Sequence, residues 1–234
     1  MINYFIYDGV NSRDFGVFIS GTQVFDAAPR SIDTVVVPGR NGTLTLDNKR
    51  FENVEMTYPA FIYDSFRANI VGFRNFMLSS AAYRRLEDTY NPDVYMMARY
   101  VSGLSVSPTD RRLEGEFDIV FDRMPQRYLK IGEEKKTFTS AGAIVNPTRF
   151  ESKPLIRVYG VGSLGVGSNT ITITANTSYI DIDCDMMDAY RGATNCNGDI
   201  VLSSGNFPTL KPGANGITLT GITKVEIIPK WWIL

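Results

Sequence analysis

Apolar and polar residues alternate over short stretches along most of this chain, the period-two signature of β-strands with one face buried. Phe5 and Tyr7, then Val17 and Ile19, are alternating pieces near the start, with Asn11-Ser12 in the turn between them. Ile32 to Val37 and Leu44 to Leu46 flank the turn-rich segment Val37-Pro38-Gly39-Arg40-Asn41-Gly42-Thr43 and predict a hairpin. Thr57 to Tyr63 is a further strand. Pro59 within it removes a ladder donor, which predicts an edge or a bulge. Strands follow at Arg84 to Asp88, Asp93 to Tyr100 and Glu116 to Asp122. In the last, Phe117, Ile119 and Phe121 share one face, and Glu116, Asp118 and Asp122 the other. One stretch breaks the rhythm. Phe66, Ile70, Phe73 and Met77 recur at steps of four, three and four, which is one face of a helix. Asp64 or Ser65 can cap its start and Ser79-Ser80 end it, so a helix covering one side of a sheet is expected.

The hairpin tip stacks two turn signals. Pro38-Gly39 suits the central positions of a type II turn, and Asn41-Gly42 suits positions with φ > 0. Together they predict a wide, defined tip with Arg40 at its apex, able to reach a carboxylate or carbonyl of another chain. By residue type alone, Arg40 reads as a solvated loop residue.

The polar run Ile131-Gly132-Glu133-Glu134-Lys135-Lys136 predicts a linker or the start of a second domain. Beyond about residue 145 the chain becomes rich in Gly, Thr and Asn, with short strands through Leu155 to Tyr159, Thr170 to Thr174, Ile180 to Cys184, Ile217 to Leu219 and Val225 to Ile227. This pattern suggests an antiparallel sandwich. The expected architecture is mainly β: residues 1–140 as a β domain with one helix, and 141–234 as the sandwich.

Composition narrows the chemistry. With 234 residues and 44% hydrophobic positions the chain can bury a sizeable core. A formal net charge of −1, without runs of like charge, argues against a general nucleic-acid or membrane-surface binder. There is no histidine, which excludes a Ser-His-Asp triad, a Cys-His dyad and every His-containing metal site. Cys184 and Cys196 are too few for a disulfide framework and match no zinc spacing. Met1 to Val10 carries neither a basic nor an apolar signal region, and no stretch approaches a membrane span, so synthesis in the cytoplasm with reduced thiols is expected. Asn41-Gly42-Thr43 and Asn176-Thr177-Ser178 match the glycosylation pattern by chance on that reading.

Three motifs look like chemistry. Gly160-Val161-Gly162-Ser163-Leu164-Gly165 fits G-x-G-x-x-G, but the β-branched, alternating Asn169 to Thr174 follows where a nucleotide site needs a helix, so the glycines read as a hairpin connection. Asp181, Asp183, Asp185 and Asp188 resemble the start of a calcium loop, yet Met186 and Gly192 stand where Gly and Glu are required. They read instead as the acidic outer face of a strand whose inner face is Ile180, Ile182 and Cys184, with Cys184 a small core residue. Tyr190, Trp231 and Trp232 are candidate sugar-stacking platforms, though a terminal tryptophan more often packs against a domain face. No catalytic, cofactor or metal residues stand out, and no enzyme activity is expected.

The ordered set of pieces resembles the distal tail protein (Dit) family of long-tailed bacteriophages and their prophages. The pieces are Tyr4-Phe5-Ile6-Tyr7-Asp8-Gly9-Val10-Asn11-Ser12 with Asp14-Phe15-Gly16, Val37-Pro38-Gly39-Arg40-Asn41-Gly42, Phe121-Asp122-Arg123-Met124-Pro125-Gln126-Arg127-Tyr128-Leu129, Asn146-Pro147-Thr148 with Lys153-Pro154-Leu155-Ile156-Arg157-Val158-Tyr159-Gly160, and Gly205-Asn206-Phe207-Pro208-Thr209-Leu210-Lys211-Pro212-Gly213-Ala214-Asn215. The resemblance implies a tail-tube-like N-terminal domain forming a hexameric ring and a galectin-like or carbohydrate-module-like C-terminal sandwich. The ring would join the tail tube to a tail-associated lysin or fibre protein at the virion tail tip and leave a channel for DNA. Pro38, Gly39, Arg40, Asn41 and Gly42 would then sit at a subunit interface or face that channel. Some members of that family carry a long arm inserted in the second domain, and the short second domain here leaves no room for one. A second reading is an adhesion module whose C-terminal domain binds host glycans through Tyr190, Trp231 and Trp232.

Overall fold

The computed structural model describes residues 2–21, 26–62, 66–103, 105–108 and 115–234. The chain divides into two compact units, one of Met1–Arg127 with Leu234 and one of Tyr128–Ile233. The division falls ahead of the 140/141 line drawn from the sequence. The reason is that Lys136–Phe138 hydrogen-bonds as a strand to Val225–Ile227, deep in the second unit.

The strands of the first unit are β1 (Phe5–Tyr7), β2 (Val10–Asn11), β3 (Val17–Ile19), β4 (Arg30–Val36), β5 (Thr43–Phe51), β6 (Val54–Ile62), β7 (Arg84–Asp88), β8 (Val94–Tyr100), β9 (Ser107–Pro108) and β10 (Gly115–Leu129). Its main sheet runs β2-β1-β7-β8-β10-β6-β3, and the pairings described in it are antiparallel. The α-helix among the described residues, α1 (Phe66–Met77), buries Phe73 and Met77 completely and packs Phe66 and Ile70 on the same core. The stripe at steps of four and three therefore faces the sheet, as its spacing dictates. Asp64 and Ser65, the expected caps, lie outside the described residues. At the other end, Ser79 Oγ donates to Phe76 O at 2.7 Å and the chain leaves the helix. Phe5, Phe73 and Phe121 meet edge-to-face at the centre of this core, with ring centroids 6.3 Å (Phe5–Phe73) and 5.8 Å (Phe5–Phe121) apart.

Two expectations change here. Pro59 is not on an edge strand, because β6 lies between β10 and β3. It sits instead where β3 stops: its carbonyl accepts from Ser20 N at 2.8 Å, just past the end of β3 at Ile19, so the missing N–H interrupts no ladder. The strand expected at Glu116 to Asp122 runs on to Leu129, and its inward row of Phe117, Ile119 and Phe121 is continued by the buried Arg123 and Arg127.

The second unit contains β11 (Lys136–Phe138), β12 (Gly142–Asn146), β13 (Leu155–Val166), β14 (Asn169–Ile173), β15 (Ile180–Asp183), β16 (Asp188–Arg191), β17 (Thr194–Asn195), β18 (Ile200–Leu202), β19 (Gly213–Ile228) and β20 (Trp232–Ile233). Its sheet runs β11-β19-β13-β15-β16-β17, with β12 on β19, and β14 and then β18 on β13. The long strands β13 and β19 belong to both halves of the barrel-like curl. Leu155 to Val158 pairs with β15, and Gly162 to Val166 with β14. Ile156, Val158, Ile180 and Ile182 from one half share a single core with Leu164, Val166, Ile171 and Ile173 from the other. The sandwich is thus one antiparallel sheet folded over onto itself.

The glycines of the G-x-G-x-x-G match make that fold and are not a hairpin connection. Register shifts between β13 and β19 fall at Tyr159/Gly160 and Gly160/Ser163, and Gly160 and Gly162 have φ of +97° and +144°. A Cβ on Gly162 would stand 2.1 Å from Thr220 O, so the two backbones approach too closely for any side chain.

Candidate functional site

The feature that stands apart from both cores is the β4–β5 hairpin. It forms a two-stranded sheet of its own, pairing Val36 with Thr43, Val35 with Leu44, Thr34 with Thr45 and Asp33 with Leu46. This register puts Val35, Leu44 and Leu46 on one face and Ile32 and Val36 on the other. All five are exposed, from 40% at Leu44 to 75% at Val36. At the base, Glu52 N donates to Pro29 O at 2.9 Å, and Arg30 Nε donates to Asp47 Oδ1 at 3.0 Å. The guanidinium beside Asp47 holds that carboxyl below its usual range, mainly through this hydrogen bond.

At the tip, Arg40 N donates to Val37 O at 3.1 Å across Pro38 and Gly39, with Gly39 at φ +80°. This is the type II turn that Pro-Gly specifies. Gly42 also has a positive φ, +81°, whereas Asn41, expected to share that conformation, does not. Arg40 and Asn41 are exposed, and the Arg40 guanidinium bonds to none of the described residues. Pro38, Gly39, Arg40, Asn41 and Gly42 are thus brought together as a solvent-facing tip closed by a turn.

The two tryptophans proposed to stack on sugars are engaged within the fold. Trp231 is 3% exposed and lies in the core of the second unit, with no open ring face. Trp232 stacks on Phe150 with centroids 4.4 Å apart and donates from Nε1 to Glu151 O at 2.8 Å. Tyr190 lies on β16 opposite Asp181. Burial and the first-neighbour contacts of the two tryptophans fit a packing role.

Two of the four aspartates of the loop-like motif are buried and not outward-facing, while Asp185 is exposed and Asp188 half-buried. Asp181 and Asp183 are each 6% exposed. Arg157 grips Asp181 through Nε–Oδ1 at 2.6 Å and Nη2–Oδ2 at 2.8 Å, while Lys230 Nζ stands 3.2 Å from Asp183 Oδ2. Asp183 Oδ1 also accepts the backbone N–H groups of Asp185 and Met186. Their oxygens are spent on the fold, and among the described residues no group of three metal-ligating side chains converges. Burial pushes the Cys184 thiol up to about 12, which leaves it a packing residue. Among the described residues no helix is long and apolar enough to cross a membrane.

With curled antiparallel sheets in two units and one α-helix among the described residues, this mainly β chain shares its fold with two solved phage proteins. Over 100% of both chains it superposes on the SPP1 Dit (gp 19.1) protein, described as a hub of the adsorption apparatus in phages infecting Gram-positive bacteria, with a TM-score of 0.75 and 14% identity. It also superposes on a chain of the phage p2 baseplate in its activated conformation with Sr, with a TM-score of 0.54, 12% identity and 97% of each chain covered. Neither a protein-family model nor a curated protein matches the sequence.

Proposed function

We propose that this chain is a structural subunit of a phage tail tip. On this reading it forms a hexameric ring that joins the tail tube to the tip or host-adhesion proteins and leaves a channel for DNA. The observation that carries the reading is the β4–β5 hairpin on a Dit-like fold. An isolated two-stranded ribbon is marginal in water, and this one exposes apolar residues on both faces and, among the described residues, a backbone edge without a pairing strand on each side. Such edges are satisfied by a neighbour. A ribbon whose β4 edge meets the β5 edge of the next copy makes a head-to-tail contact, the kind that generates rings. Arg40 at the exposed tip supplies a charged donor to the adjoining subunit or partner. The partners are further copies of this chain, a tail-tube protein above and a tail-associated lysin or fibre protein below.

Light scattering and negative-stain imaging test this, with the chain alone and with its tail-tube or tip partner. Rings are expected, and Arg40→Ala should weaken their assembly while the subunit stays folded. A second variant, Val36→Glu with Leu46→Lys, should leave only monomers. A chain that stays monomeric at high concentration and fails to assemble with either partner would refute the ring.

A further inference from the structure

We propose that Asn41, at the tip of the β4–β5 hairpin, is a site of spontaneous deamidation, and that the change disables the tip of a subunit that has not assembled. The chain holds three Asn-Gly pairs, Asn41-Gly42, Asn197-Gly198 and Asn215-Gly216. Such a pair is open to this reaction because no Cβ on the second residue shields its backbone nitrogen. That nitrogen attacks Cγ of the asparagine side chain. An N–Cγ bond forms, the Cγ–Nδ2 bond breaks and ammonia leaves, which closes a succinimide ring. Water then opens the ring. Attack at Cγ gives aspartate, and attack at the backbone carbonyl carbon gives isoaspartate, with the main chain rerouted through Cβ and Cγ.

The fold protects two of the three pairs. Asn215 is 3% exposed and lies in β19 opposite Ile144 of β12. Its Oδ1 accepts from Lys211 N at 2.9 Å, and its Nδ2 donates to the carbonyls of Lys211 and Gly213 at 2.8 Å and 3.0 Å. Asn197 is exposed, but its Oδ1 accepts from Ala189 N at 2.8 Å and its Nδ2 donates to Asp188 Oδ1 at 2.7 Å. In both, these bonds must break before Cγ can turn towards the next nitrogen, and each slows the attack by up to about tenfold. Asn41 has neither restraint. It lies beyond Val36 and Thr43, the last pair of its ladder, and its exposed side chain bonds to none of the described residues.

The product is a different tip. Arg40 is the one charged residue from Val37 to Thr43, so a carboxylate beside it cancels the charge of the segment. Isoaspartate also lengthens the backbone of the turn. A tip seated in a ring junction is held still and spared, whereas a free one ages and loses the cationic character it offers a neighbour. This consequence rests on the ring reading. The deamidation itself does not.

Peptide mapping by mass spectrometry tests the site. The intact chain is aged at low concentration and mildly alkaline pH, which favours loss of the glycine N–H proton, and light scattering reports its state. The peptide carrying Asn41 should gain the mass of O in place of NH, as an aspartate and isoaspartate pair. Its rate should exceed those at Asn197 and Asn215 by about tenfold or more. Unfolding in guanidinium chloride should bring the three rates together. Gly42→Ala, whose Cβ meets nothing within 4 Å, should slow the change at Asn41 alone, and Asn41→Gln, which needs a larger ring, should nearly stop it. Equal rates at the three pairs in the folded chain, or a faster change at Asn197, would overturn the site. Asn41→Asp should weaken ring assembly as Arg40→Ala does. Rings unaffected by Asn41→Asp would overturn the consequence. Fresh protein that forms no rings would overturn the ring reading and the consequence with it, and the mass measurement would still decide the site.

Discussion

Replacing Gly162 with alanine should cost the second unit about 2–6 kcal/mol. At φ +144° the residue occupies backbone space that L side chains rarely enter, a strain of about 1–3 kcal/mol. The new Cβ would also stand 2.1 Å from Thr220 O and 2.9 Å from Gly221 Cα, backbone atoms of β19 that cannot rotate away. Moving that strand to make room costs about 1–3 kcal/mol more, as overpacking does. Gly192→Ala is the control. It too has a positive φ, +60°, but a Cβ there meets nothing within 4 Å, so only the strain of about 1–2 kcal/mol remains. Urea unfolding followed by tryptophan fluorescence reads this unit alone, because both tryptophans, Trp231 and Trp232, lie in it. With a slope of about 1–3 kcal/mol per molar urea, the Gly162→Ala midpoint should fall by about 1 M or more. If Gly162→Ala and Gly192→Ala unfold at the same midpoint, the close approach of β13 and β19 does not shape the fold as argued.

Other outcomes follow from groups held inside each unit. Cys184 and Cys196 are both buried, and Cys184 is pushed up to about 12, so neither should react with a disulfide reagent near pH 8 until the protein unfolds; rapid labelling of the native protein would contradict this. Glu226 is held down to about 2, first by the hydrogen bond from Lys224 and then by that from Lys135. Because its folded pKa lies below its unfolded one, it contributes stability above the ordinary glutamate range that is lost as pH falls towards 2, and Glu226→Gln should flatten that part of the acid-unfolding curve. Tyr58→Phe removes the hydroxyl that donates to buried Asp88 at 2.6 Å and should lower the stability of the first unit by about 1–3 kcal/mol, read by circular dichroism in urea.

What could be read along the chain was what repeats locally. The stripe Phe66, Ile70, Phe73 and Met77 and the alternation of Phe117, Ile119 and Phe121 point to the core because a buried face imposes its period on neighbouring residues. The type II turn at Pro38-Gly39 was legible for the same reason, since its geometry is written in two adjacent residues. Other features depend on partners far away in sequence. Whether Pro59 sits on an edge is decided by where β3 stops. Whether Gly160 and Gly162 bend a strand or join two is decided by the strand opposite. Arg123 and Arg127 look like solvated residues until the sheet turns their row inward. Trp231 and Trp232, neighbours of one type, differ in environment: one is buried in the core and the other is stacked on Phe150. Tyr58, Asp88 and Arg127 share a cavity through pairings that no local pattern announces.

On the ring proposed above, the hairpin would separate two properties that ring-forming proteins are often assumed to encode together. Each ribbon carries one β4 edge and one β5 edge. Joining another copy consumes one of each and presents one of each, so an open arc of any length always has the same two loose ends. Only closure removes them. In the proposed ring, sealing would therefore be a matter of backbone hydrogen bonds that are alike at every junction and insensitive to how many subunits take part. The number would be set elsewhere, by the angle at which the first unit carries its ribbon past the hydrogen bond between Glu52 N and Pro29 O. In such a ring a substitution at that base would change the size without weakening the assembly, and one along the ribbon would weaken it without changing its size.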